Sequence, residues 1–232
     1  GDIMAGYAVD KLGYKKVAIL YEITSEYSLG ITNNFTDALE AKGGKVTICE
    51  AYKSGDVDFR AQLSKIKEFG DYDALMIPAN YKEVGLITKQ ARSMGIEVPF
   101  LGVDAWNMRD LFEIAGDEVQ GSVFPGAMDV NAPELQSFKE AFKERWDLDP
   151  DGAGTDSYLA HDCFDLLKWS IEKAGEATPE KIREAMENAT EVPCLTSVIS
   201  IDPETHNPLR NATIYQVQGD EFVKIDEYSL ND

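Results

Sequence analysis

Short apolar runs alternate with longer amphipathic stretches through the first half of the chain. Three runs rich in β-branched residues predict strands at 16–21, 45–52 and 74–78. Each is followed by a stretch with helical periodicity that a glycine closes, at 29–42, 58–69 and 83–94. The three strands begin 29 residues apart, at residues 16, 45 and 74. This spacing accommodates one strand, one crossover helix and two loops, and therefore predicts parallel strands.

The apolar runs are continuous rather than alternating, which is typical of strands covered on both faces. Shorter runs at 99–102 and 121–125 extend the pattern, with a short helix predicted at 108–115 between them and another at 3–12 before the first strand. The predicted fold class is α/β, with a doubly wound parallel sheet lobe over residues 1–126. The functional edge of such a lobe consists of the loops that come after the carboxyl ends of the strands.

The second half of the chain has a different pattern and predicts two further regions. Residues 127–190 predict a helical segment, and residues 191–232 predict short strands with a hairpin turn at Gly219-Asp220. The helices are expected at 132–146, 155–174 and 179–188, and the strands at 197–202, 212–217 and 221–225.

The helix predicted at 155–174 is apolar around more than half of its circumference, because Phe164, Leu167 and Trp169 accompany apolar residues on its other faces. Leaving such a helix uncovered costs about 1.5–3 kcal/mol per large side chain. Only short strands remain nearby in the sequence to cover it. We therefore expect it to belong to a second lobe whose main sheet is absent from this chain or is supplied by a partner. Its uncovered face predicts an exposed patch and self-association.

The charge of the chain narrows the classes of partner. Forty-two acidic residues outnumber 22 basic ones, giving a formal net charge of -20. Such a field repels phosphate backbones and anionic membrane surfaces, so we expect no nucleic-acid partner. No apolar run reaches the roughly 18 residues of a membrane span. The sequence opens on a helical pattern without a signal peptide, so we expect a mature or trimmed chain.

Four segments resemble one protein family in their order and spacing. They are KKVAILYEITSEYSLG at 15–30, the Asp58-Phe59 and Gln62-Leu63 stretch, KQARSMGIEVPFLGVDAW at 89–106 and SYLAHDCFDLLKWSIEKAG at 157–175. The chain resembles the leucine/isoleucine/valine-binding type of periplasmic binding protein, which has the type I two-lobed fold.

The resemblance assigns each region of the chain to a part of that fold. It implies that residues 1–126 are the second, Rossmann-like lobe and that residues 127–190 return to the first lobe. It places residues 191–232 at the hinge side, and it implies that the N-terminal part of the first lobe is missing.

The implied function is the extracytoplasmic solute-binding component of an ABC importer, in the periplasm or as a cell-surface lipoprotein. It would bind an amino acid, branched-chain or similar, in a cleft between two lobes and deliver it to a membrane permease. A ligand-sensing receptor or regulator of the same fold is the alternative, and an enzyme on an α/β fold is the third interpretation. The particular amino acid, and whether this chain alone binds it, stay open.

The resemblance also indicates the site residues. Asp104, after the fourth strand, matches the family's acidic position for the ligand ammonium, although it could instead cap the next helix. Tyr27, after the first strand, matches a tyrosine that faces the ligand, or else packs against the start of a helix. Ser28 could donate to the ligand or serve as a cap.

Three further residues lie after strands at the same edge. Of Asn80 and Tyr81, one is expected to face the cleft, and Trp106 is either an apolar wall of the site or part of the core. Asp156 and Tyr158 begin the long helix, where capping and packing are favoured over ligand contact.

Other chemistries find little support, and we expect no cofactor, no metal and no enzymatic activity. Residues 147–152 open like a calcium loop, but its twelfth position is Tyr158 rather than glutamate. The two histidines, His161 and His206, lie far apart and no paired-cysteine motif accompanies them. Cys49 and Cys163 are expected to be small core residues.

Overall fold

The computed structural model describes residues 1–153 and 155–229. The chain forms two compact units, the first made of Gly1–Gly126 and the chain from Ala212 onward, the second of Ala127–Asn211. The helices are α1 (Asp2–Asp10), α2 (Glu26–Ala41), α3 (Arg60–Phe69), α4 (Tyr81–Ser93), α5 (Asp110–Ala115), α6 (Gln136–Trp146), α7 (Asp156–Ala174) and α8 (Pro179–Glu187). The strands are β1 (Lys16–Glu22), β2 (Lys45–Tyr52), β3 (Ala74–Met76), β4 (Phe100–Leu101), β5 (Val123–Gly126), β6 (Val192–Pro193), β7 (Val198–Ile201), β8 (Pro208–Leu209), β9 (Ala212–Gln218) and β10 (Glu221–Tyr228).

The first unit is built on a seven-stranded sheet in the order β10-β9-β5-β4-β3-β1-β2. The strands from β5 to β2 in this order are parallel, as the spacing of the apolar runs predicts. Val17, Ala18, Ile19 and Leu20 on β1 are all fully buried. Because successive side chains of a strand point to opposite faces, this burial shows that both faces of the sheet are covered. The predicted α/β class is confirmed.

The last two strands differ from the prediction. The sequence groups residues 191–232 together, whereas the structure places β7 in the second unit and β9 and β10 in the sheet of the first. β9 pairs antiparallel with β5, and β10 pairs antiparallel with β9, so the sheet is mixed. The physical reason is packing, since Tyr215 of β9 is buried and stacks on Phe124 of β5 at a centroid distance of 5.5 Å.

The second unit holds α6, α7, α8 and a three-stranded sheet in the order β6-β7-β8. It has a small cluster of buried residues around Met128, Leu135 and Tyr158. On α7, Phe164 is 61% exposed and Leu167 is 41% exposed. The exposed apolar patch expected on this helix is therefore present.

The expectation for two cysteines is wrong, because Cys49 and Cys163 are exposed and not core residues. Cys49 lies on β2, an edge strand of the sheet, and Cys163 lies on the uncovered helix α7. Both positions look apolar in sequence, but burial depends on what covers the element. Burial beside Asp162 and Asp165 raises the pKa of the third thiol, Cys194, to about 11, which keeps it protonated at neutral pH.

Candidate functional site: the carboxyl edge of the parallel sheet

Tyr27 and Asp104 meet at the carboxyl edge of the sheet although 77 residues separate them in sequence. Tyr27 lies in the first turn of α2, directly after β1, and Asp104 lies just after β4. The Tyr27 hydroxyl donates a hydrogen bond to Asp104 Oδ1 at 2.6 Å. Tyr27 is 40% exposed, and Asp104 is exposed as well. The pair therefore presents an aromatic ring and a carboxylate to the surroundings of this edge.

The surroundings of Tyr27 keep its phenol protonated. Partial burial, and next the hydrogen bond to the Asp104 carboxylate, raise the pKa of Tyr27 above its ordinary value. The hydroxyl is thus a donor at neutral pH, and it holds one oxygen of Asp104 in place. A carboxylate oxygen has more than one acceptor site, so the carboxylate can still accept from a cationic ligand.

Ser28 is occupied by the protein rather than open to a ligand. It is fully buried, and its Oγ donates to the carbonyl oxygen of Pro78 at 2.5 Å and accepts from the backbone nitrogen of Glu22 at 3.0 Å. The cap of α2 is Ser25, whose side chain accepts from the backbone nitrogen of Ser28. Ser28 therefore joins the end of β1 to the loop after β3, which brings the loops of the site together.

Asn80 and Tyr81 occupy the loop after β3 and the first position of α4. Asn80 is exposed, and its side chain makes no capping hydrogen bond to the helix. Tyr81 is half-buried and packs against the core of the first unit. Of the two, Asn80 has the side chain that is more open to a ligand.

Trp106 belongs to the core and not to the wall of a site. It is fully buried, and its Nε1 donates to the carbonyl oxygen of Ile77 at 3.2 Å. A Cβ atom added at Gly102 would lie 2.4 Å from the Trp106 ring, so this close approach requires glycine. The sequence leaves wall and core open for Trp106, and the structure corrects the assignment as a site residue. The tryptophan instead supports the loops after β3 and β4.

A family model for periplasmic binding proteins matches residues 1–221. The chain belongs to the periplasmic binding protein family. It is 30% identical over 196 residues to the leucine-, isoleucine-, valine-, threonine- and alanine-binding protein of Pseudomonas aeruginosa, covering 83% of this chain and 51% of that protein. It is 25% identical over 194 residues to the Leu/Ile/Val-binding protein BraC3 of Rhizobium johnstonii, with the same two shares. The chain thus spans about half the length of these relatives.

Solved structures agree with this assignment. The leucine-binding protein LivK of Thermotoga maritima superposes with a TM-score of 0.85 at 28% identity, covering 99% of this chain and 65% of that one. LivJ of Streptococcus pneumoniae, a branched-chain amino acid transporter substrate-binding protein solved with isoleucine, gives a TM-score of 0.79 at 25% identity over 98% of this chain and 64% of that one. These relatives are binding proteins of amino acids. The resemblance seen in the sequence is confirmed at the level of family and fold.

The chain has a second carboxylate at the same edge, which sequence reasoning missed. Glu22 is the last residue of β1 and is half-buried, and its Oε1 accepts from Thr24 Oγ1 at 2.9 Å. Its backbone nitrogen is bonded to Ser28. The sequence does contain a signal for this position, because Glu22 is the first charged residue after a continuous apolar run. In a parallel sheet, that position is the strand tip.

Tyr158 and Asp156 lie in the second unit of the protein. Tyr158 is buried, packs on Phe138 at a centroid distance of 5.1 Å and donates a short hydrogen bond to Asp151. Asp156 is exposed in the first turn of α7. Packing, the role favoured for Tyr158, agrees with these contacts.

The acidic turn before α7 is engaged by protein donors. The Oδ2 of Asp151 accepts from Lys139 Nζ at 2.7 Å, and Asp149 Oδ1 accepts from the backbone nitrogen of Asp151 at 3.0 Å. Among the residues that the structure describes, no group of three or more His, Cys, Asp or Glu side chains is arranged to hold a metal ion. Over the same residues, no helix has the length and apolar character needed to pass through a bilayer.

Proposed function

We propose that this chain forms one wall of an amino-acid-binding cleft in the extracytoplasmic solute-binding component of an ABC importer. The ligand class is a branched-chain or similar amino acid, as the names of the relatives suggest. The observation that carries the proposal is the hydrogen bond between Tyr27 and Asp104 at the carboxyl edge of the sheet. A membrane permease is the proposed partner.

The geometry of the edge suits the ammonium end of an amino acid. Asp104 supplies a carboxylate that is exposed and already oriented by Tyr27. Hydrogen bonds between an ammonium and a carboxylate are charge-assisted and stronger than those between neutral groups. The Tyr27 ring gives an aliphatic side chain an apolar surface, and Asn80 adds an amide. Glu22, Tyr27, Asn80 and Asp104 carry no positive charge, so we propose that further chain supplies the cationic or backbone donors for the carboxylate of the ligand.

The second unit supports the idea that further chain completes the cleft. A groove of about 770 Å³ lies among α7, α8 and the strands β7 and β8. Its apolar walls are Leu159, Leu166, Met186, Ile199, Ile201 and Pro208. We propose that this groove and the exposed face of α7 receive the sheet of the first lobe, which would account for the length that the relatives have beyond this chain. The chain on its own is then expected to self-associate through the same face.

Calorimetric titration tests the assignment of the ligand and of Asp104. The protein, as this chain and as any longer chain that its gene encodes, is titrated with L-leucine, L-isoleucine and L-valine. 4-Methylpentanoate, which lacks the ammonium of leucine, serves as the ligand control. We expect binding of the amino acids and none of the acid. Asp104→Asn should weaken binding at least tenfold, because hydrogen bonds to charged groups contribute about 1.5–3 kcal/mol.

Asp117→Asn is the matched control variant. Asp117 is also an exposed aspartate of the first unit, but it precedes β5 and so lies toward the amino ends of the strands. Its replacement should leave the affinity unchanged. Equal affinities of the parent chain and Asp104→Asn would remove Asp104 from the site, and failure of the longest chain to bind any amino acid would end the proposal.

A further inference from the structure

The chain passes between the two units twice, at Gly126–Ala127 and at Asn211–Ala212. On the side of the first unit the two passages are paired, because Gly126 of β5 lies opposite Thr213 of β9 in an antiparallel ladder. That ladder ends where the chain enters the second unit. On the side of the second unit, any bond between the two passages must therefore come from side chains or from backbone groups outside this ladder.

Arg210 stands at this position, two residues before β9 begins. Its Nη2 donates to the carbonyl oxygen of Ala127 at 2.7 Å and to Thr196 Oγ1 at 2.9 Å. Its Nη1 lies 3.7 Å from Asp162 Oδ2. The side chain of Arg210, on the returning passage, therefore bonds to Ala127, the first residue of the outgoing passage. In the first unit, the backbone hydrogen bonds of the ladder connect the same two passages.

The Arg210 guanidinium faces Asp162, an aspartate that other hydrogen bonds hold in place. The side chain of Asp162 on α7 is 4% exposed, and that of Arg210 is 15% exposed. Asp162 also accepts from the backbone nitrogen of Thr196 at 2.9 Å and from the Thr196 hydroxyl. Asp165, one turn along α7, accepts from the backbone nitrogen of Leu195 at 3.1 Å. A partly buried charge with this many partners has few alternative positions.

We infer that Arg210 is a clamp that ties the two interunit passages to each other and to α7, so that they open and bend together. The planar guanidinium is needed for this role, because it bonds two acceptors from a single nitrogen and faces the Asp162 carboxylate with another. A lysine ammonium keeps the charge but not the fixed fork. The substitution Arg210→Lys therefore distinguishes a clamp from a residue that only neutralises the charge of Asp162.

Hydrogen exchange of the backbone amides, followed by mass spectrometry on the protein without ligand, tests the clamp. Three variants are compared with the parent chain: Arg210→Lys, Arg210→Met with Asp162→Asn to avoid an unpaired buried charge, and Arg183→Met as the control. Arg183 also lines the groove of the second unit, but its side chain is 75% exposed and its ion pair is to Glu187.

We expect exchange to accelerate about tenfold in peptides that cover residues 124–130 and 208–214, in both Arg210 variants and not in Arg183→Met. Acceleration at both passages, with β1 and α7 unchanged, supports the clamp. Acceleration at one passage alone, none at either, or an equal increase across the whole second unit would overturn it. Protection retained by Arg210→Lys would also overturn it, since charge alone would then suffice. Because no ligand is present, the result is independent of whether the proposed amino acid binds.

Discussion

The two units of the protein bury their apolar residues to different extents. In the first, residues on opposite faces of β1 are fully buried, and Phe124 packs against three aromatic rings. In the second, α7 leaves Phe164 and Leu167 exposed beside an apolar groove. The first unit has a closed core that can hold the carboxyl edge of its sheet in fixed geometry. The second unit leaves apolar surface exposed, so an apolar residue there is expected to contribute less to the free energy of unfolding than one in the first unit.

The largest expected effect is the loss of stability caused by a cavity in the core of the first unit. It tests whether apolar residues of the two units differ in what they contribute to stability. Phe124→Ala should lower the free energy of unfolding by about 3–5 kcal/mol, because it removes a fully buried ring among packed neighbours. Phe164→Ala, which removes a ring that is 61% exposed, should change it by about 0.5 kcal/mol or less. Urea unfolding followed by circular dichroism measures both. Equal losses for the two variants would show that α7 is as well covered as the sheet.

The second effect concerns the uncovered face itself. Leu167→Asp should weaken self-association of this chain about tenfold, because one large apolar side chain contributes about 1.5–3 kcal/mol when it is buried. Ile225→Asp is the matched control, since Ile225 is 40% exposed and Leu167 41%, but Ile225 lies on β10 in the first unit. Sedimentation velocity over a range of concentrations measures the difference. A parent chain that stays monomeric throughout, or equal effects of the two substitutions, would contradict the role of α7.

Much of the carboxyl edge of the sheet could be predicted from sequence, because parallel topology leaves little choice in where the strands end. Parallel strands place their carboxyl ends on one side, so Tyr27 after β1, Asn80 after β3 and Asp104 after β4 share an edge. The pattern identifies the residues that come after a strand, but it does not give the direction in which each side chain turns. Trp106 and Ser28 also lie just after strands, and both point into the protein.

The position of the last hairpin was harder to predict for a different reason. An antiparallel pair of strands can join any free sheet edge, and its own pattern does not encode the partner. β9 joins β5 because Phe124 leaves an aromatic surface that Tyr215 covers. Cys163 shows the same limit, because the apolar pattern of α7 predicts burial while the described residues leave this face of the helix exposed.

A third, stabilising effect is expected inside the closed core. The Tyr52 hydroxyl is buried at the carboxyl end of β2 and has no hydrogen-bond partner among the described residues. Tyr52→Phe should therefore raise the free energy of unfolding by about 1 kcal/mol, since it removes the cost of burying an unpaired polar group. Phe59, which packs edge-on against the Tyr52 ring at 4.9 Å, keeps its contact in this variant. Urea unfolding at neutral pH measures the change, and a loss of stability would mean that the hydroxyl has a partner.

The smallest expected effect is a change in how the free energy of unfolding depends on pH, and it tests the Tyr27–Asp104 pair at the carboxyl edge of the sheet. Burial, and then Asp104, raise the pKa of Tyr27 in the folded chain. The stability that this contributes is present below the unfolded tyrosine pKa of about 10 and is lost as the pH rises beyond it. Tyr27→Phe should therefore lose less stability than the parent between about pH 9 and pH 11, while the other tyrosines contribute equally to both chains.

Asp104→Asn gives an intermediate case that separates the two causes. Because burial of Tyr27 remains when the carboxylate is removed, this variant should flatten the pH dependence only in part. Urea unfolding at a series of alkaline pH values measures all three chains. If Tyr27→Phe and the parent lost stability with the same slope, the phenol would be as free as in an unfolded chain. The hydrogen bond that orients Asp104 would then not persist in solution, and the edge would lack the preformed carboxylate on which amino-acid binding is proposed to depend.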